Sequence, residues 1–152
     1  MSKVPTLLIS LDSIRKDPAL GAEGRGERKI LVTELYSRTE VEATCVNWEA
    51  GNASAPTPVQ VMADVEMAVF THRASQASHL HKLGTEIYTV LEGRMIIEVE
   101  GVEYTLKAGD TIVVNPGAFH KVIPRGNEFL CKVITINCGG TRDKYEHRSG
   151  YE

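Results

Sequence analysis

From residue 29 onward the chain repeats one texture: short runs rich in Val, Ile, Thr and Tyr, each closed by a turn. The runs are KILVTELY (29–36), VEATCVNW (41–48), VEMAVFTH (65–72), EIYTVLE (86–92), RMIIEVE (94–100), VEYTLK (102–107), TIVVN (111–115), HKVIP (120–124) and FLCKVITIN (129–137). Each has strand length and β-branched character. Glu92-Gly93, Glu100-Gly101, Ala108-Gly109-Asp110, Pro116-Gly117 and Gly126-Asn127 supply the turns between them. Closely spaced strands joined by glycine turns predict an all-β sandwich or barrel. The N-terminal part differs. Ser10 is placed to cap a short helix over LDSIRKD before Pro18 stops it, and GAEGRGER (21–28) reads as a surface linker. The expected organisation is one domain: an N-terminal extension over 1–57 with a short helix and arm strands, a barrel over 58–140 and a C-terminal tail over 141–152.

Composition narrows the function classes. At 152 residues, 42% hydrophobic and 24% charged, the chain has the make-up of an ordinary globular domain. A formal charge of −3 and no basic run interleaved with aromatics argue against a nucleic-acid partner. The first 20 residues carry Lys3, Asp12, Arg15, Lys16 and Asp17 around the short apolar run TLLIS. That is neither a signal peptide nor a membrane span. Cys45, Cys131 and Cys138 are odd in number and lack CxxC spacing, so a reducing, cytoplasmic setting is expected.

The chemistry-bearing stretch is SHLHKLGTEIYTVLEG (78–93). Side chains alternate along a strand, so His79 and His81 share a face and Leu80 turns away. Glu86 has the other parity, but Gly84 permits a loop or bulge that returns it to the histidine side. Tyr88 and Val90 then share the face of Glu86. His120 follows the Pro116-Gly117 turn at the start of another strand. Three imidazoles and a carboxylate form a mixed N/O set suited to Fe, Mn, Ni, Zn, Co or Cu rather than Ca or Mg.

These spacings resemble the two motifs of the cupin superfamily. The first, G-x5-H-x-H-x3,4-E-x6-G, is matched by His79, His81, Glu86 and Gly93; the second, G-x5-P-x-G-x2-H-x3-N, by Gly109, Gly117 and His120. Arg73 stands at the opening glycine, Asn115 precedes a proline one position late, and Pro124 replaces the closing asparagine. None of these departures removes a ligand. The resemblance covers roughly residues 60–137. It implies a double-stranded β-helix, or jelly roll, holding one divalent transition metal ion (Fe, Mn, Zn or Ni) through His79, His81, Glu86 and His120. It also implies a homodimer, in which strands ahead of the barrel extend a neighbouring subunit's sheet.

The metal set keeps a net positive charge and favours a small oxygenated substrate: a carboxylate, a keto acid or a sugar. The leading expectation is Lewis-acid isomerase, epimerase or lyase chemistry, with Tyr88 as the catalytic residue that moves a proton. The segment TEIYTVLEG is similar to sugar-isomerase-like cupins. Small cupin lyases of sulfonium carboxylates share the tyrosine but have one residue fewer between the second histidine and the glutamate. An Fe(II)-dependent dioxygenase and a non-catalytic metal- or small-molecule-binding cupin are the alternatives, since fold does not choose among them. Outside the set, Arg73 and His147 read as surface residues, His72 as exposed or hydrogen-bonded, and Cys131 as core. Trp48 reads as core or a dimer contact.

Overall fold

The computed structural model describes residues 8–21, 23–31, 65–137 and 143–146. The expected strand at 41–48, with Cys45 and Trp48, lies outside the described residues, as do Cys138, His147 and the barrel boundaries at 58 and 140. The described strands are β1 (Glu27–Leu31), β2 (Val65–Thr71), β3 (Thr85–Val99), β4 (Val102–Lys107), β5 (Thr111–Val114), β6 (His120–Ile123) and β7 (Phe129–Ile136). Every pairing among them is antiparallel. The all-β jelly-roll expectation is met.

One strand organises the roll. β3 was expected as two strands with a turn at Glu92-Gly93, but it runs unbroken for 15 residues. Its first half pairs with β5 and β7, and its second half with β4 and β6. It therefore passes from one sheet into the other. The glycine at the crossing is needed for approach rather than for reversal. Gly93 has φ +75°, and a Cβ there would lie 2.1 Å from the Glu128 carbonyl oxygen. The register with β7 slips at Val90/Glu92, a bulge that bends the strand into the corner.

Alternation along the strands fills the interior. Ala68, Phe70, Tyr88, Val90, Met95, Ile97, Leu106, Val114, Val122, Phe129, Cys131 and Val133 form one buried cluster. Phe70 meets Tyr88 and Phe129 edge-on, at ring-centroid distances of 6.2 and 5.8 Å. The opposite face of β2 carries Met67 and Val69, which pack with Leu130 under Ile14 and Leu20 from the N-terminal segment. That segment forms α1 (Leu11–Arg15), capped as expected by Ser10, whose hydroxyl oxygen accepts the Ser13 N–H at 3.1 Å. Pro18 ends it and opens a 3-10 turn over Pro18–Leu20. The segment read as a linker is partly strand, because β1 begins at Glu27 and pairs with β2 from Phe70 back to Glu66. No helix among the described residues is long and apolar enough to cross a membrane.

Candidate metal centre

His79, His81, Glu86 and His120 converge as the spacing predicted. One ligand atom from each lies within 4.8 Å of the others, and among the described residues no other group of three or more such side chains does so. Different local devices hold each of them. His79 and His120 face each other across an isolated β-bridge, with backbone hydrogen bonds of 3.0 and 2.8 Å in the two directions. The Gly117 N–H donates to the His81 carbonyl at 2.7 Å, which pins the Pro116-Gly117 turn beneath the second histidine. Glu86 sits on β3 opposite Val114 of β5 and Thr135 of β7. Val90 and Tyr88 lie on its face, fully buried.

The ring tautomers follow from the partners. His79 Nδ1 lies 2.9 Å from the Ala77 carbonyl, His120 Nδ1 2.9 Å from the Ala118 carbonyl and His81 Nδ1 2.5 Å from the Asp143 carbonyl. A carbonyl only accepts, so each Nδ1 carries the proton and each Nε2 faces inward. His81 Nε2 and His120 Nε2 both stand 2.7 Å from Glu86 Oε1, and His79 Nε2 stands 3.9 Å away. His81 Nε2 is buried and makes no hydrogen bond despite that proximity. Three lone pairs and a carboxylate oxygen directed at one point, one of them without a hydrogen-bond partner, fit a bound cation. These four residues would hold it.

Two residues outside the motif complete the cage. Thr135 donates its hydroxyl to Glu86 Oε2 at 3.1 Å, while the Tyr88 hydroxyl donates to Oε1 at 3.1 Å. Asp143, from the segment expected to be a tail, is buried and holds the loop between His81 and Glu86. Its Oδ1 accepts the Lys82 N–H at 2.9 Å, and its Oδ2 accepts those of Leu83 and Gly84, each at 2.7 Å. Tyr145 pairs with Leu80 through both backbone groups, at 2.9 and 3.0 Å. Gly84 lies in the loop ahead of β3, where the alternation is reset, and its place there is one of space: a Cβ would lie 3.2 Å from Thr135 Cγ2 and 3.4 Å from Asp143 Oδ2. The parity of Cys131 and Val133 on β7 would have placed Thr135 inward. No local signal marks Asp143.

Burial acts against the Glu86 carboxylate, yet hydrogen bonds from His120, His79 and His81, made when the rings are protonated in place of a bound cation, outweigh it and hold its pKa far below the usual range. His81 behaves likewise. Burial opposes its cation, but Glu86 and then the Asp143 carbonyl raise its pKa. His79, where burial prevails, titrates lower than an ordinary histidine. Burial, then the Glu86 charge, pushes the Tyr88 phenol well above its ordinary value. Of the remaining candidates, Arg73 is exposed and reaches the Leu20 carbonyl, and Cys131 is a buried core thiol. His72 lies edge-on to Phe129.

Comparison with known proteins places this geometry. Residues 66–137 match the family described as a cupin domain. An uncharacterized protein of Methanocaldococcus jannaschii is 39% identical over 56 residues, 35% of this chain and 45% of that relative's length. The chain therefore spans less than half of that relative. Among solved structures, an uncharacterized conserved protein with a double-stranded β-helix domain from Klebsiella pneumoniae is 28% identical, covering 50% of this chain and 70% of the other at a TM-score of 0.45. A cupin protein from Bacteroides fragilis is 14% identical, covering 91% of this chain and 88% of the other at a TM-score of 0.49.

Proposed function

Because this chain belongs to the cupin superfamily through residues 66–137, we propose that it is a metal-dependent enzyme acting on a small oxygenated metabolite. The reaction is an isomerisation, epimerisation or elimination at a carbon next to a bound carboxylate or carbonyl. One observation carries this reading: all three Nε2 atoms turn inward toward Glu86 Oε1 because each Nδ1 is committed to a carbonyl. A bound divalent ion (Fe, Mn, Zn or Ni) would supply Lewis acidity to a substrate oxygen.

The chain's own groups supply the rest. Glu86 cancels one charge of a dication, so the centre keeps positive charge and draws oxygen anions. The apolar wall of Tyr88, Val90 and Val133 keeps water away from the reacting end. Tyr88 is the proton-moving residue in this reading. Its hydroxyl donates to Glu86 Oε1 at 3.1 Å, which sets the phenol beside the ligands that would hold the ion, where as the base it would take the proton from the acidified carbon. Tyr88→Phe is expected to lower the rate by ~10²-fold or more with metal retained; an unchanged rate returns Tyr88 to packing.

Elemental analysis of protein purified without added metal tests the whole reading. Bound manganese, zinc, nickel or iron, with turnover of a carboxylate, keto acid or sugar and no oxygen uptake, supports it. Iron with oxygen consumption supports the dioxygenase instead, and bound metal without turnover in a metabolite screen supports a binding module. We propose further that the chain works as a cytoplasmic homodimer. Among the described residues β1 has a strand neighbour on one side only, and a second copy covering that edge would protect its ladder. Light scattering that reads a single chain contradicts the dimer.

A further inference from the structure

The register of β2, β7 and β3 sets a third acidic or polar residue in line with the metal ligand. Glu66 is the partner of Thr135, and Thr135 is in turn the partner of Glu86. Directly paired residues on antiparallel strands point to the same side of the sheet. The next inward row confirms the face, since Ala68, Val133 and Tyr88 are paired in the same way and lie in the interior cluster. Glu66 therefore faces the barrel interior, two strand spacings (roughly 10 Å between Cα atoms) from Glu86.

Its carboxylate is underused. Glu66 Oε2 is buried and has no hydrogen-bond partner. The neighbouring donor is already spent, because the Thr135 hydroxyl is given to Glu86 Oε2. Lys29, whose charge acts on Glu66, lies on β1 and pairs with Glu27 at 3.8 Å. The other groups whose charges reach Glu66 are Glu27, Glu86 and His81. Burial raises the Glu66 pKa against the pull of Lys29, as expected for a half-buried carboxylate with one oxygen lacking a donor. A buried acceptor left unsatisfied in the free protein is one that a ligand can satisfy.

We propose that Glu66 is a specificity-determining residue for the metal centre, set on the same face of the sheet two strands from Glu86. It selects substrates that carry an oxygen anion at one end and a hydrogen-bond donor, best a protonated amine, at the other. The metal end takes the carboxylate and Glu66 takes the cationic end. This inference rests on the metal-centre reading above and names the substrate class of that same site.

The test uses the full chain loaded with Co(II), whose visible absorption reports ligands entering its shell. The probes are β-alanine, propionate and succinate, which share a carboxylate and differ at the other end. Wild-type protein should bind β-alanine about tenfold more tightly than propionate, and succinate least tightly. Glu66→Gln keeps the shape and removes the charge, so the preference for β-alanine should fall to parity with cobalt affinity unchanged. Glu66→Lys should invert the order and favour succinate. Cobalt bound by the wild type with equal affinity for all three probes, or with no response to β-alanine, overturns the role of Glu66 alone. Loss of cobalt in Glu66→Gln makes it part of the metal shell and also overturns that role. A wild-type chain that binds no cobalt overturns the metal centre, and this inference with it.

Discussion

The two sides of the metal centre are braced in different ways. On one side His79 and His120 hold each other through a β-bridge, and each ring is fixed by the carbonyl two residues before it. On the other side His81 and the loop to Glu86 depend on Asp143, about sixty residues away: the separations are 62 for the ring contact and 61, 60 and 59 for the three backbone N–H groups. The first side is self-sufficient once the strands pair. The second is completed only when the C-terminal segment returns. One half of the ligand set should therefore respond to changes in the barrel, and the other half to changes outside it.

Removing a ligand treats both sides alike and gives the largest effect. His120→Ala or His81→Ala should lower metal affinity beyond the ~10–100-fold typical of supporting residues. Full occupancy in the His120 variant, measured by elemental analysis, would remove that residue from the shell. Asp143→Ala separates the sides. It strips three N–H groups of a buried carboxylate acceptor, so metal affinity should fall ~10–100-fold and unfolding should become easier by ~3 kcal/mol. In metal-loaded protein the imidazole N–H resonance of His81 should move while those of His79 and His120 stay. Equal shifts at all three histidines would erase the distinction. Asp143→Asn, which keeps an acceptor oxygen, should lose less of both.

Acidity gives a third, smaller lever. Metal binding needs deprotonated imidazoles, so affinity should fall as pH drops through the histidine range. His81, with its pKa raised above 6.5, should release its proton at higher pH than His79, whose pKa is lowered. The linkage sign follows. In metal-free protein, the stability that this proton contributes is fully present below the unfolded value near 6.5 and is lost as pH rises through the raised pKa. Metal-loaded protein should show the opposite trend at this residue, which a pH series of denaturant melts with and without metal would read. The smallest effect is expected at Gly84. Its added methyl in Gly84→Ala meets Thr135 at 3.2 Å and Asp143 at 3.4 Å, so affinity should drop only a few-fold, about 1 kcal/mol or less.

The same division explains what could be read from the sequence. His79, His81 and Glu86 are near one another in the chain, and strand alternation with a short loop is enough to bring them to one face. His120 follows a proline-glycine turn that predicts where its strand begins. Val90 and Tyr88 follow from period two. Gly93 misled because glycine after glutamate normally signals reversal, whereas here it admits the Glu128 carbonyl while the strand continues. Glu27 and Arg28 looked like linker because their strand is short and charged, and only pairing with β2 shows them as sheet. The parity of Cys131 and Val133 already points Thr135 inward, but Glu66 needed the register of three strands before the face it shares with Glu86 could be known. Asp143 lies in DKYEH, where composition suggests only a solvated tail, and its role depends on a return path that no local pattern encodes.

The proposed chemistry depends on His79, His81, His120 and Glu86 closing on a single ion. X-ray absorption on zinc-loaded protein tests it most directly. One equivalent of metal is expected, with three imidazole nitrogens and carboxylate oxygen in its shell at about 2.0–2.2 Å. A shell with fewer than three imidazoles, or a protein that takes up no metal, would contradict it.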